Sequence, residues 1–187
     1  MADIDWVADA GTVISSSWTG NLAVQHPAGS EASCYDQNDA TYWEGQRGGY
    51  GNTAQWSNLV FTATFSTAVL INRLKLVHGE YYVLCNNPVN SWTLEYQDGS
   101  GWHTQGTGSN GVVGIGPSAH QQDYTGLNLT GVTAVRCTLY SYYATATTPS
   151  PPPFTPGRCG SGLYELWAYG PEGGGPSGNA MLFGADF

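Results

Sequence analysis

Asp36-Gln37-Asn38-Asp39-Ala40-Thr41-Tyr42-Trp43 is the stretch on which the reading of this chain turns. Short oxygen-bearing side chains (Asp36, Asn38, Asp39 and Thr41) crowd together and the run closes on Trp43. Such side chains compete with backbone hydrogen bonds, so the segment predicts a tight turn and no helix. A turn of this kind aims side-chain and carbonyl oxygens inward, which is the donor chemistry of a hard cation such as calcium. Far along the chain, Leu163-Tyr164-Glu165-Leu166-Trp167-Ala168-Tyr169-Gly170 reads as a last strand bearing a single carboxylate.

Between these two segments the pattern is that of a β protein. Thr12 to Ser17 reads as a strand. Asn58 to Phe65 is the cleanest, with Leu59, Phe61, Ala63 and Phe65 on one face. Val69 to Val77 reads as one continuous strand, with Ile71, Arg73, Lys75 and Val77 opposing Leu70, Leu74 and Leu76. Ser91 to Tyr96 puts Trp92, Leu94 and Tyr96 on one side, and Asp98-Gly99 predicts a turn toward Trp102. Val132 to Tyr140 and Leu163 to Tyr169 complete the set, and no helical repeat appears. Many strands with turn signals between them predict an all-β antiparallel sandwich or jelly roll. Three long loops are expected: Glu44 to Gln55, His78 to Asn90, and Ser141 to Gly162 with its stiff Pro151-Pro152-Pro153 run. The sandwich is expected over residues 1–170. Residues 171–187 read as a Gly/Pro-rich tail whose apolar Met181-Leu182-Phe183 suits docking on a neighbour, or else a frayed end.

Composition narrows the function. At 187 residues the chain is one domain with a tail. Aromatics at 13% exclude a disordered polymer. Five Lys and Arg against 14 Asp and Glu give a net charge of −9, so no basic stripe exists for nucleic acid or an anionic membrane. No apolar run is long enough for a transmembrane span. The N-terminus, Met1 to Trp6, lacks the pattern of a secretory leader, which fits either a leader already removed or a virus structural protein released by lysis. Cys34, Cys85, Cys137 and Cys159 match no zinc or redox spacing. Two readings stand: two disulfides in one of three pairings, or four reduced thiols packed as small hydrophobes. The turn-rich settings of Cys85 and Cys159 favour the disulfides. Neither a Gly-x-Ser-x-Gly nor a His-Glu-x-x-His motif occurs, and the Asp36/Glu44 acid pair already has a cation-binding explanation, so no enzyme is expected.

The order of these segments resembles the discoidin family, that is, the C-type domains of coagulation factors and the related galactose-binding-like carbohydrate modules. Thr12 to Ser17 is similar to the family's opening strand. Asp36, Thr41 and Trp43 match its Asp-Gly-Asp-x-x-Thr-x-Trp turn, with Gln37 and Asn38 replacing Gly and Asp. Ser91 to Trp102 resembles its Tyr-rich hairpin, Val132 to Arg136 its penultimate strand, and Leu163 to Gly170 its closing strand. The resemblance implies a jelly-roll sandwich of about eight strands without catalytic apparatus, binding ligands through loops at one end. In many members it also implies a structural calcium. Carried over to this chain, the calcium ligands are Asp36, Asn38, Thr41 and Glu165, with a backbone oxygen from Tyr35. Asn38 in place of an acid removes one formal charge and weakens such a site. The competing reading is a cation-free Asx turn.

A sugar site needs an exposed aromatic for the apolar sugar face and planar polar groups for the hydroxyls. Tyr42, Glu44, Arg47 and Tyr50 in the first loop supply that chemistry, as do His78, Tyr81 and Tyr82 in the second and Tyr142, Tyr143 and Phe154 in the third. The opposing reading of each Tyr is packing at a loop base with its hydroxyl wetted. Two functions follow as expectations. One is a non-catalytic glycan-binding module, extracellular or displayed on a virion surface as a phage capsid decoration or tail component. The other is a purely structural assembly protein that binds other virion proteins. An extracellular bacterial carbohydrate-binding module is a further form of the first.

Overall fold

The computed structural model of the chain describes residues 3–20, 31–37, 55–79, 91–109, 121–143 and 162–172, with the side chains at 18, 31, 55–57 and 141–143 left aside. The strands run β1 (Asp3–Asp5), β2 (Val13–Gly20), β3 (Gln55–Ile71), β4 (Arg73–Gly79), β5 (Ser91–Asp98), β6 (Gly101–Ser109), β7 (Gln121–Tyr124), β8 (Leu129–Tyr143) and β9 (Gly162–Pro171). One 3-10 turn, Glu31–Cys34, lies between β2 and β3. The strands form a four-stranded sheet in the order β1-β9-β4-β7 and a five-stranded sheet in the order β2-β3-β8-β5-β6, every pair antiparallel. This is the all-β antiparallel sandwich that the sequence predicts.

The core follows from alternation. Leu59, Phe61, Ala63 and Phe65 of β3 are all buried, together with Leu94 of β5 and Val135, Cys137 and Leu139 of β8. They pack against Leu74 and Leu76 of β4 and Leu163, Leu166 and Ala168 of β9. Burying a Leu- or Phe-sized side chain contributes about 1.5–3 kcal/mol, so this single cluster is the main source of stability. Cys34 and Cys137 are reduced thiols within it. That corrects the two-disulfide expectation, and burial pushes the Cys137 thiol up to about 12. Cys85 and Cys159 lie outside the described residues.

The run 69–77 is not one strand, as the sequence predicts, but two. Ile71 and Leu74 are both fully buried, and strict alternation does not allow that at a spacing of three. The chain leaves the larger sheet at Asn72 and enters the smaller one at Arg73. Asn72 N donates to Tyr169 O at 2.9 Å, and its carbonyl accepts from Leu127 N at 2.9 Å. Beside this corner, Gly170 leaves room for the Leu70 carbonyl, which a Cβ there would strike. On the opposite side of the sandwich, Trp92 lies beneath its β6 partner Gly108, where a Cβ would come within 2.7 Å of the indole. Short strands β1 and β7 escape the sequence reading because three or four residues show no usable period.

Gly170→Ala is expected to destabilise the fold by at least about 2 kcal/mol, because the atom in its way is backbone and not a mobile side-chain tip. Chemical denaturation of the two proteins measures this, and an Ala variant as stable as the parent would show that the corner yields.

Candidate functional site

The strand registers bring the long connections to one end of the sandwich. In the larger sheet Gly20 ends β2 opposite Ser57, and Gln55 begins β3 opposite Tyr143, the last residue of β8. Ser91 begins β5 opposite both Tyr140 of β8 and Ser109, the last residue of β6. In the smaller sheet Gly79 ends β4 opposite Gly162, the first residue of β9, and Gln121 begins β7 opposite Val77. The His78 and Trp92 rings, 6.1 Å apart at centroids, join the two sheets here. Residues 21–30, 38–54, 80–90, 110–120 and 144–161 therefore all attach to strands at this end. Among the described residues the opposite end carries short links, such as the Gly99-Ser100 turn closed by Asp98, whose Oδ1 accepts from Ser100 N at 2.8 Å.

Of the expected ligand-binding residues, Tyr42, Glu44, Arg47, Tyr50, Tyr81, Tyr82 and Phe154 lie outside the described residues, on segments attached at this end. Tyr142 and Tyr143 are expected in a loop, but their backbones are the last two ladder positions of β8, opposite Trp56 and Gln55. His78 is also expected in a loop. It sits within β4, opposite Leu163, with a relative exposure of 0%. The ring is a packing element between sheets, so it supports the loop end from beneath and does not face solvent.

The expected calcium residues fall on two segments that the fold brings together. Cys34 Sγ donates to Leu163 O at 3.5 Å, which lays the end of the 3-10 turn against β9 two residues from Glu165. Gln37 holds a left-handed backbone, φ 61°, and its side chain reaches Asp5 on the neighbouring strand β1. Tyr35 is half-buried against the core and Asp36 is exposed. Glu165 is fully buried in β9, opposite Val77. A carboxylate oxygen is one of the donor types that a hard cation accepts. Among the described residues no three His, Cys, Asp or Glu side chains converge as a metal site by themselves. Asn38 and Thr41, which would complete the set, lie outside the described residues.

Asp5 is a functional-looking carboxylate that the sequence reading missed. Its Oδ1 accepts from Val7 N and Ala168 N, both at 3.1 Å, and so clips β1 to β9. The available signal was an acid between Ile4 and Trp6 in an otherwise apolar segment. Burial, at 7% exposure, pushes its pKa from 3.8 up to about 6, against the lowering by the N–H groups of Ala168 and Val7.

No family model matches the chain, and no curated protein matches its sequence. Among solved structures it is similar to a Ruminococcus gnavus GH29 fucosidase in complex with fucose, with a TM-score of 0.53 at 14% identity. That match covers 90% of this chain and 27% of the fucosidase, so the chain spans about a quarter of that enzyme's length. It is also similar to the family 32 carbohydrate-binding module of Clostridium perfringens NanJ in complex with galactose, with a TM-score of 0.49, 9% identity and coverage of 90% of this chain and 100% of the module. A chitosan-binding module from Paenibacillus sp. IK-5 gives a TM-score of 0.46 at 22% identity, covering 83% of this chain and 95% of the module. The likeness to the fucosidase segment shows a shared β-sandwich fold.

The raised Asp5 pKa sets a pH dependence with a definite sign. The folded state holds a proton that the unfolded chain releases between about pH 4 and 6, so stability falls as pH rises through that window and then levels off. Asp5→Asn keeps the acceptor and removes the charge. It is expected to be more stable than the parent above pH 6, by about 2–3 kcal/mol at most, and equal to it near pH 4. Denaturation midpoints of both proteins from pH 4 to 8 check this, and parallel curves would contradict it.

Proposed function

We propose that the chain is a non-catalytic glycan-binding module whose site is built by the segments at the loop end. The observation that carries this reading is the convergence there of five long connections, which bear Tyr42, Tyr50, Tyr81, Tyr82 and Phe154. Aromatic faces take up the apolar side of a pyranose, while Glu44 and Arg47 supply planar hydrogen-bonding groups for its hydroxyls. A rigid sandwich with variable loops at one end is a common platform for such recognition. The resemblance of the turn, hairpin and closing strand to discoidin-type domains supports the same reading, as does the fold shared with part of a fucosidase. The fucosidase's activity does not carry over, because function resides in a site and not in a fold. Display on a virion surface is the finer form of this proposal. It is tested by whether antibody to the chain labels intact particles.

Glycan-array binding with purified protein is the direct test. Binding is expected, and each of Tyr42→Ala, Tyr50→Ala, Tyr81→Ala and Tyr82→Ala that contacts the sugar is expected to weaken it about tenfold, or ~1.4 kcal/mol. A broad panel that stays silent while near-ultraviolet circular dichroism shows an intact fold would leave the structural-assembly function in its place.

Calcium is proposed as a structural ion of this end. Asp36, Glu165, Asn38, Thr41 and the Tyr35 carbonyl would hold it, and when bound it would fix the turn against β9. Saturating calcium is expected to raise the melting temperature by roughly 2–4 °C for each kcal/mol of binding linkage. Glu165→Gln is expected to abolish that rise. Calcium-independent melting of the parent protein would remove the ion from the account and leave a cation-free turn.

A further inference from the structure

Among the described residues the two sheets have four outer strands, and three of them carry features that oppose the pairing of another strand there. β1 is three residues long and bears Asp3 and Asp5. β7 is four residues long and bears Asp123. β6 is interrupted by a bulge, because Leu94 pairs with Gly106 while Glu95 pairs with Thr104. Short length, charge and bulges are the usual protections of sheet edges.

β2 has none of them. It is eight residues long, Val13-Ile14-Ser15-Ser16-Ser17-Trp18-Thr19-Gly20, and all eight pair with β3 in unbroken register, from Val13 opposite Thr64 to Gly20 opposite Ser57. It contains no Pro and no charge. Its neighbour β3 contains no charged residue either, over seventeen positions. Val13 is 66% exposed, and Ser15, Ser17 and Thr19 are exposed on the same outer face. Among the described residues no strand covers the far side of β2.

We propose that β2 is a pairing edge and that its partner is β2 of a second copy of this chain, joined antiparallel across a two-fold axis. For a second copy, charge selects this edge. Two copies at net −9 repel each other over most of their surface, and a strand pair without charge offers an approach free of like-charge contacts. The period of two favours it as well. An antiparallel copy sets the hydroxyl and β-branched residues Val13, Ser15, Ser17 and Thr19 against the same set, so each face meets its like, as an isologous contact requires. The result is a continuous ten-stranded sheet. One strand edge buries less than the roughly 1,200 Å² of a standard interface, so the dimer is concentration-dependent and not permanent. Because the paired strands are antiparallel, the two loop ends point in opposite directions, a geometry that bridges two surfaces.

Sedimentation equilibrium of the full chain over a wide concentration range tests the proposal. The parent is expected to show a reversible monomer–dimer equilibrium. Ser15→Lys combined with Ser17→Lys sets like charges across the axis and is expected to raise the dissociation constant about tenfold or more. The control pair, Thr104→Lys with Ser109→Lys on the β6 edge, is expected not to weaken association. Added lysines reduce the overall charge of an acidic chain, so weakening confined to the β2 pair has a local cause. All four positions are exposed, and melting curves establish that the variants fold. Amide exchange in β2 that slows with protein concentration provides a second readout. A parent monomeric throughout overturns the proposal, and so does a dimer that both lysine pairs affect equally.

Discussion

Everything about the placement of the site depends on the corner at Asn72. There the chain changes sheet within one residue, held by Asn72 N on the Tyr169 carbonyl, by Leu127 N on the Asn72 carbonyl, and by Asn72 Nδ2 on Asp3 Oδ2 at 3.1 Å. The corner joins β3, the longest strand of one sheet, to β4, an inner strand of the other. It therefore sets which ends of the two sheets coincide. Gly170 is part of the same device, since only a residue without Cβ lets the Leu70 carbonyl approach β9 so closely. With the corner on one side, the longer connections fall on the other.

The sequence carried most of the sheet architecture and little of the detail that shapes the loop end. Alternation over 59–65 and 91–96 was strong enough to name the core faces: Leu59, Phe61, Ala63, Phe65, Trp92 and Leu94 are buried, and Tyr96 is partly buried against them. It failed over 69–77 because a corner that shifts the phase by one residue looks locally like an uninterrupted β-branched run. Whether Ile71 or Leu70 faces the core is decided by hydrogen bonds to Tyr169 and Leu127, which are far away in sequence. The burial of His78 was hidden for a similar reason. A histidine followed by Gly79 and a run of Tyr reads as a strand exit, yet its ring packs against Trp92 across the sandwich. The turn at Asp36 was readable as a turn. Its anchors, the Cys34 thiol on Leu163 O and the reach of Gln37 to Asp5, were not, because both partners lie in other strands.

The described cations are engaged on the sheet faces. Arg73 donates to Asp123 from Nε at 2.9 Å and from Nη2 at 2.7 Å, and it also lies over the Tyr169 ring. That pairing holds the Asp123 carboxyl below its ordinary range and raises Arg73. Lys75 stands 3.7 Å above the Trp167 ring. Arg136 pairs with Glu95 at 2.8 Å and stacks 4.0 Å over Trp102. Each of these cations lies over an aromatic ring of its own sheet, and Arg73 and Arg136 also pair with a carboxylate.

The chain has five Lys and Arg in all, and the remaining two are Arg47 and Arg158. Both belong to segments attached at the loop end, 38–54 and 144–161. The same segments hold Tyr42, Tyr50 and Phe154, so the segments attached at one end of the sandwich carry two arginines together with aromatic side chains. A nucleic acid or a phosphate-rich surface calls for a field of positive charge that two arginines in a chain of net −9 do not provide. A neutral polyhydroxylated ligand needs only a few planar donors beside an aromatic face, and guanidinium suits that role through its fixed fork of N–H groups. The distribution of charge along the chain thus agrees with the ligand class proposed for the loop end.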